Sequence, residues 1–244
     1  MFCGGTLALL ARQGAKVHYL CATRGEGGER GEPALCEVEN LGAAREREMA
    51  CAVGNLGGQD LAFLDYVDPR IGPNDSLFPF ADGPAQVASR LVILLRKLRP
   101  QVIITHGVNG EYGHPAHVLC YQAACQAISM LNGVAPFLYC VSAAFPEHPK
   151  PHHINRDQPA HLVLDVTPAM EQKIQAALCH RTQNALFVRR ASIEAGRQLS
   201  VPEVLMSVES LHRALPPVEG ELDDPLARLL APWVIRDHSM NAGN

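Results

Sequence analysis

The stretch that most constrains this chain is Gln101–Thr105 running into His106-Gly107-Val108-Asn109-Gly110-Glu111-Tyr112-Gly113-His114-Pro115-Ala116-His117. A short, β-branched apolar run predicts a strand covered on both faces of a parallel sheet. The three glycines after it mark irregular backbone, and Pro115 suits the first turn of a helix, where its missing N–H is an orphan anyway. His114 and His117, three residues apart, then straddle a helix start and share one face. Two imidazoles at the carboxyl end of a parallel strand suit metal binding, or one ligand and one proton donor. The helix N-terminus adds positive potential that favours an anion or a developing oxyanion. With eleven histidines in the chain, the same spacing also arises by chance.

The rest of the chain is read against that strand and loop. Its 244 residues, 47% hydrophobic, can bury a full core as one large α/β domain or two small ones. A formal net charge of −4 and no basic block leave no footprint for nucleic acid or a membrane surface, and no apolar run is long enough to span a bilayer. Cys3, Cys21, Cys36, Cys51, Cys120, Cys125, Cys140 and Cys179 are scattered without C-x-x-C pairs, so they read mainly as small buried side chains of a reducing compartment. With no signal-peptide pattern at the N-terminus, a cytoplasmic enzyme or binding protein is the expectation.

In chain order, Leu7, Leu10 and Ala11 fall at helical spacing with Gly14 at the end, and Lys16–Thr23 reads as a strand. The segment Thr23-Arg24-Gly25-Glu26-Gly27-Gly28 follows at that strand's carboxyl end. There Arg24 could bind an anion by its forked donors; a flexible surface loop is the alternative. Arg45-Glu46-Arg47-Glu48 opens an amphipathic helix closed by Gly57 and Gly58, with one arginine able to enter the cleft. Asp60–Leu64 is a third strand, with Asp68 beyond its end as a candidate for a sugar hydroxyl or a metal-bound water, or as ordinary Asp-Pro turn chemistry. Residues 70–82 read as a long loop, Val87–Leu98 as a helix, and the pattern after His117 as a helix to Met130. Phe137–Val141 and Leu162–Val166 read as strands. The Pro- and His-rich stretch between them, with His148, His152, His153 and His161, is expected to be a solvated loop over the cleft. Pro168 and Glu171 start another helix, and the tail from Ser200 shows no assignable chemistry.

Together, Gly4-Gly5-Thr6-Leu7-Ala8, Thr23–Gly28, Arg45–Glu48, Phe63–Asp68, Pro100–Thr105, Tyr112–His117, Asp165–Pro168 with Lys173, and His180-Arg181-Thr182-Gln183 resemble the PIG-L/LmbE-like N-deacetylases over roughly the first 185 residues. The resemblance implies a Rossmann-like α/β fold, a mostly parallel sheet with helices on both faces, within one deacetylase-like domain over residues 1–244. It also implies a divalent metal, usually zinc, that serves hydrolysis of an N-acetyl group on a GlcNAc-type sugar or related small-molecule conjugate. Residue by residue, His117 matches a metal ligand and His114 the histidine that stabilises the tetrahedral intermediate or passes a proton to the leaving amine. Tyr112 matches a tyrosine near the substrate carbonyl. Arg45 and Asp68 match polar positions that hold the substrate, and Arg24, Glu26, His180 and Gln183 match further motif positions.

Family members carry an Ala-His-Pro-Asp-Asp-Glu segment ahead of the Gly-Gly-Thr-Leu-Ala helix, which supplies the other ligands and the carboxylate base. It is absent from these residues. The expectation is therefore a family chain that lacks its first strand and His-Pro-Asp-Asp loop, crippled in catalysis and poorly soluble. Ala116 stands where many relatives place an aspartate that orients the first histidine. The competing reading is a non-catalytic sugar- or nucleotide-binding module built on the Gly25–Gly28 loop, although no G-x-G-x-x-G opens a helix. Homo-oligomer formation stays open.

Overall fold

A computed structural model describes residues 2–235. The first helix, α1 (Gly4–Arg12), leads through the turn at Gly14 into strand β1 (His18–Thr23). Helix α2 (Leu41–Asn55) begins four residues before the first arginine of its charged run and delivers β2 (Asp60–Tyr66), which pairs parallel with β1. The loop over residues 70–82 holds only a single 3-10 turn, Pro73–Asp75. Helix α3 (Pro84–Leu98) then feeds β3 (Val102–Thr105). After one irregular turn, α4 (Gly110–Gly113), helix α5 (Pro115–Ser129) runs to β4 (Phe137–Val141), parallel to β3.

The α/β expectation is met, with two changes. First, the sheet falls into pieces: β1–β2 is one, and β3-β4-β8-β7 is another, where β7 is Leu162–Asp165 and β8 is Val208–Leu215. No strand among the described residues joins β1 to β3. All four residues of β3 are accordingly half-buried rather than sealed on both faces as its sequence suggests. Second, the segment after Ser200, for which the sequence offers short helical pieces but no assignable chemistry, also supplies a strand of the sheet. Strand β8 lies between β4 and β7, antiparallel to both, so the larger piece is mixed. Its position follows from composition: Ser210 and Leu211 are fully enclosed, and Glu209 turns inward to a set of backbone donors. The unassigned residues 236–244 lie outside the described residues.

Alternation along the strands separates two faces. Tyr139 and Val141 of β4 pack with Leu9 of α1, Leu164 and Leu211, and with Leu230 of α8 (Pro225–Leu230). Leu138, which precedes Tyr139 and points to the opposite face, meets Ala124 and Ile128 of α5. Each fully buried leucine contributes about 1.5–3 kcal/mol, so helices are held on both sides of β3–β4. The opening turn of α1 is fixed by Glu209, whose carboxylate accepts from Gly5 N (2.9 Å), Thr6 N (2.7 Å) and Thr6 Oγ1 (2.6 Å) and pairs with Lys173 Nζ at 2.7 Å. Lys173 lies on α6 (Met170–Cys179), which continues into α7 (Arg181–Ala195).

Two further expectations are corrected. The Pro/His-rich stretch is not solvated throughout. Strand β6 (Asn155–Pro159) lies within it, paired with β5 (Ala143–Ala144) just ahead of it, and His148, Asn155 and Gln158 are buried; Asn155 and Gln158 accept from backbone donors of the central loop. Cys51 and Cys179, 128 residues apart, are joined as a disulfide where α2 packs on α6, instead of standing as free thiols. Among the described residues no helix is long and apolar enough to cross a membrane.

Candidate active site

Each parallel pair, β1–β2 and β3–β4, delivers residues singled out above at its carboxyl end, as open α/β sheets do. From β3 come His106 and the turn to His117. The turn needs glycine at 107, where a Cβ would sit 2.1 Å from Asn155 Cγ. His114 is the residue before Pro115 and has extended backbone, φ −70° and ψ 117°, so it caps α5 instead of joining it. Its Nδ1 accepts from Ala116 N at 3.2 Å. A nitrogen that accepts is unprotonated, so the neutral ring carries its proton on Nε2. Burial, followed by the charges of His117 and His106, lowers its pKa to about 4 and keeps it neutral near pH 7.

The two expected imidazoles do converge. His114 and His117 stack with centroids 4.5 Å apart at 14°, and Tyr112 meets their edges at 5.7 and 5.4 Å. Tyr112 also touches His153 of the Pro/His-rich stretch at 5.5 Å. Shielding from water, and after it the Glu111 carboxylate, raise the Tyr112 phenol above its ordinary value, so it remains an O–H donor.

Sequence reasoning passed over His106, Glu111 and Asn155. His106 stacks on the other face of His117, with centroids 3.8 Å apart, and both rings place Nδ1 on Glu111 Oε2, at 2.9 and 2.6 Å. Glu111 is buried, and desolvation pushes its pKa up, but the hydrogen bonds and charges of His106 and His117 together bring it well below the ordinary carboxylate range. The available signal was an acidic residue between histidines in a glycine-rich loop. Asn155, 44 residues further on, gave none.

His106, Glu111 and His117 are the one cluster of three metal-type donors among the described residues. Two ligands of a tetrahedral zinc stand about 3.4 Å apart, given metal–ligand bonds of about 2.1 Å. The observed 2.6 and 2.9 Å are hydrogen bonds instead, so these atoms do not form a cage around one ion. With Nδ1 engaged, His117 offers a single donor, Nε2.

On the neighbouring strands, Arg45 of α2 is enclosed by the glycine-rich loop. A Cβ on Gly25 or Gly28 would lie 2.3–2.4 Å from its guanidinium nitrogens. These glycines therefore serve contact with the arginine, not room for a pyrophosphate. Arg45 donates Nη2 to Glu29 O at 2.9 Å, while its Nε is buried with no partner among the described residues. Burial lowers its pKa, against the pull of Asp68. Asp68 in turn is raised by burial, opposed by Arg45. Glu26 ties the two loops by accepting from Arg24 N (3.2 Å) and Asp68 N (3.0 Å). Arg24 is engaged elsewhere, with Glu46 at 2.5 Å and Asp65 at 2.6 Å. His180 sits at the junction of α6 and α7, its pKa lowered first by burial. The half-buried Gln183 lies on the first turn of α7, which Glu48 secures through Thr182 N and Oγ1 at 2.8 and 2.7 Å.

Residues 1–128, just over half of the chain, match the family described as PIG-L: GlcNAc-PI de-N-acetylase. The chain belongs to the PIG-L family. Among its relatives, a 1D-myo-inositol 2-acetamido-2-deoxy-alpha-D-glucopyranoside deacetylase of Kineococcus radiotolerans is 35% identical over 149 residues, 53% of this chain and 41% of the relative. The protein of the same name from Acidothermus cellulolyticus is 34% identical over 152 residues, 57% of this chain and 52% of its own length. The chain thus matches about half the length of these relatives. In fold, the chain is similar to N,N'-diacetylchitobiose deacetylase from Pyrococcus horikoshii, with TM-score 0.56, 19% identity, and coverage of 86% and 76% of the two chains. It is also similar to GalB, a 4-carboxy-2-hydroxymuconate hydratase from Pseudomonas putida, with TM-score 0.57, 22% identity, and coverage of 91% and 93%. One PIG-L architecture thus resembles both a deacetylase and a hydratase, and chemistry must be argued from side chains.

Proposed function

We propose that this chain hydrolyses the N-acetyl group of a GlcNAc-type sugar conjugate through the cleft lined by Tyr112, His114 and His117. One observation carries the reading: His114 caps α5 as a neutral ring with Nε2–H, stacked beside His117 and edge-on to Tyr112. Attack on an amide carbonyl builds negative charge on its oxygen, which preorganised donors stabilise by about 3–4 kcal/mol each. His114 Nε2–H and the Tyr112 phenol are such donors. Arg45, with buried unused donor capacity, and Asp68 suit sugar hydroxyls or an anionic substituent. Glu26 shapes that wall by accepting from two backbone N–H groups, and Arg24, His180 and Gln183 flank it as substrate-facing candidates.

Zinc, when bound, supplies a Lewis acid and an activated water in sites of this kind. His117 Nε2 fits one position in its coordination; the other donors present do not complete the set, so no step here is routed through the ion. That shortfall favours a second reading, a cleft that binds the sugar without cutting it.

Acetate release from 1D-myo-inositol 2-acetamido-2-deoxy-α-D-glucopyranoside, measured with added zinc alongside calorimetric binding, decides between them. Expected is release that falls about 10²–10³-fold in His114→Asn. Binding without release makes the chain a sugar binder; release indifferent to His114→Asn removes this assignment.

A further inference from the structure

Glu111 is saturated. Its Oε2 receives His106 Nδ1 and His117 Nδ1, and its Oε1 receives Gly107 N at 3.0 Å and Asn155 Nδ2 at 3.1 Å. An ionised carboxylate only accepts, so both imidazoles must present Nδ1–H to it, and each neutral ring carries its lone pair on Nε2. The carboxylate is itself locked. Asn155, fully buried, donates to Glu111 Oε1 and Val141 O (2.8 Å) and accepts from Asn109 N (3.0 Å) and Glu111 N (3.2 Å), which uses all of its amide hydrogen-bonding directions.

The backbone tells the same story independently. Glu111 stands at φ 60°, ψ −58°, inside the turn before α5. A residue with a Cβ in such a conformation costs on the order of 1–3 kcal/mol, and the cost persists only where surrounding structure overdetermines it. Glycine would relieve it but has no carboxylate. The strain is explained if the side chain is required where it stands.

We infer that Glu111, braced by Asn155, is a positioning residue that holds His106 and His117 in one tautomer, each with its Nε2 lone pair free. Histidine ligands and bases are set in this way by the partner on their other nitrogen. The inference rests on the hydrolase reading only for the use made of His117 Nε2. It adds His106 as a second imidazole in the same state, which the motif Tyr112–His117 does not include. Glu111 does not reach His114, whose Nδ1 accepts from Ala116 N instead.

The test is long-range ¹H–¹⁵N NMR of the imidazoles in the full chain without metal near pH 7, with signals assigned by His106→Gln and His117→Gln. Expected are Nδ1–H forms for both rings. In Glu111→Gln the amide oxygen must stay where Gly107 N and Asn155 Nδ2 donate, so the NH2 faces the two Nδ1 atoms and both rings move to the Nε2–H form while far-ultraviolet circular dichroism stays native. An Nε2–H form at either ring of the unaltered chain overturns the inference, even if Glu111→Gln does not fold. So do unchanged tautomers in a folded Glu111→Gln. Absent acetate release with both Nδ1–H forms intact counts against the hydrolase reading and leaves this one standing.

Discussion

Replacing Glu209 by glutamine probes the contact that joins the last strand to the first helix. The carboxylate is fully enclosed and gathers four donors: two amides of α1, the Thr6 hydroxyl and the Lys173 ammonium. Glu209→Gln keeps the shape but turns an NH2 toward donors and leaves the Lys173 ammonium, 2% exposed, without a carboxylate to balance its charge. An uncompensated buried charge costs about 3–5 kcal/mol. Lys173→Met is a smaller insult, because the carboxylate keeps three hydrogen bonds; losing one charged partner costs about 1.5–3 kcal/mol. In the double variant no ammonium is left unpaired, so its loss should not exceed that of Glu209→Gln alone. Against a total of about 5–15 kcal/mol these differences are measurable by urea unfolding followed by circular dichroism. Lys173→Met costing as much as Glu209→Gln, or two losses that simply add, would refute the claim that Glu209 is the hub of this contact.

Two other expectations follow from the same geometry. The His114 pKa is lowered to about 4, below the unfolded value of about 6.5. Its neutral form is therefore favoured by folding, and its stabilisation is present above pH 6.5 and lost as pH falls toward 4. Thermal melts across that interval should show a steeper decline for the unaltered chain than for His114→Asn; parallel profiles would remove this role for the ring. Reduction of the bond between Cys51 and Cys179 frees a loop of 128 residues and should lower stability by about 4–5 kcal/mol in the chain-entropy account. Urea unfolding with and without dithiothreitol checks the loss, and two alkylated peptides in place of one linked pair check the bond.

Local pattern was enough for much of this molecule. The apolar run ending at Thr105 sets a strand, Pro115 sets a helix start, and spacing by three sets His114 beside His117, because each depends only on neighbours along the chain. Glycines at 25 and 28 announced a close approach, although not its object, which is the Arg45 side chain. What the tertiary structure alone decided is who answers whom at a distance. Asn155 meets Glu111 across 44 residues, and Glu209 meets Gly5 across 204. No periodicity encodes such pairings; buried donors and acceptors must find partners once the layers close, and the layers are set by the whole sheet. For the same reason the stretch read as a solvated loop contributes Asn155, and the segment read as a tail contributes an interior strand.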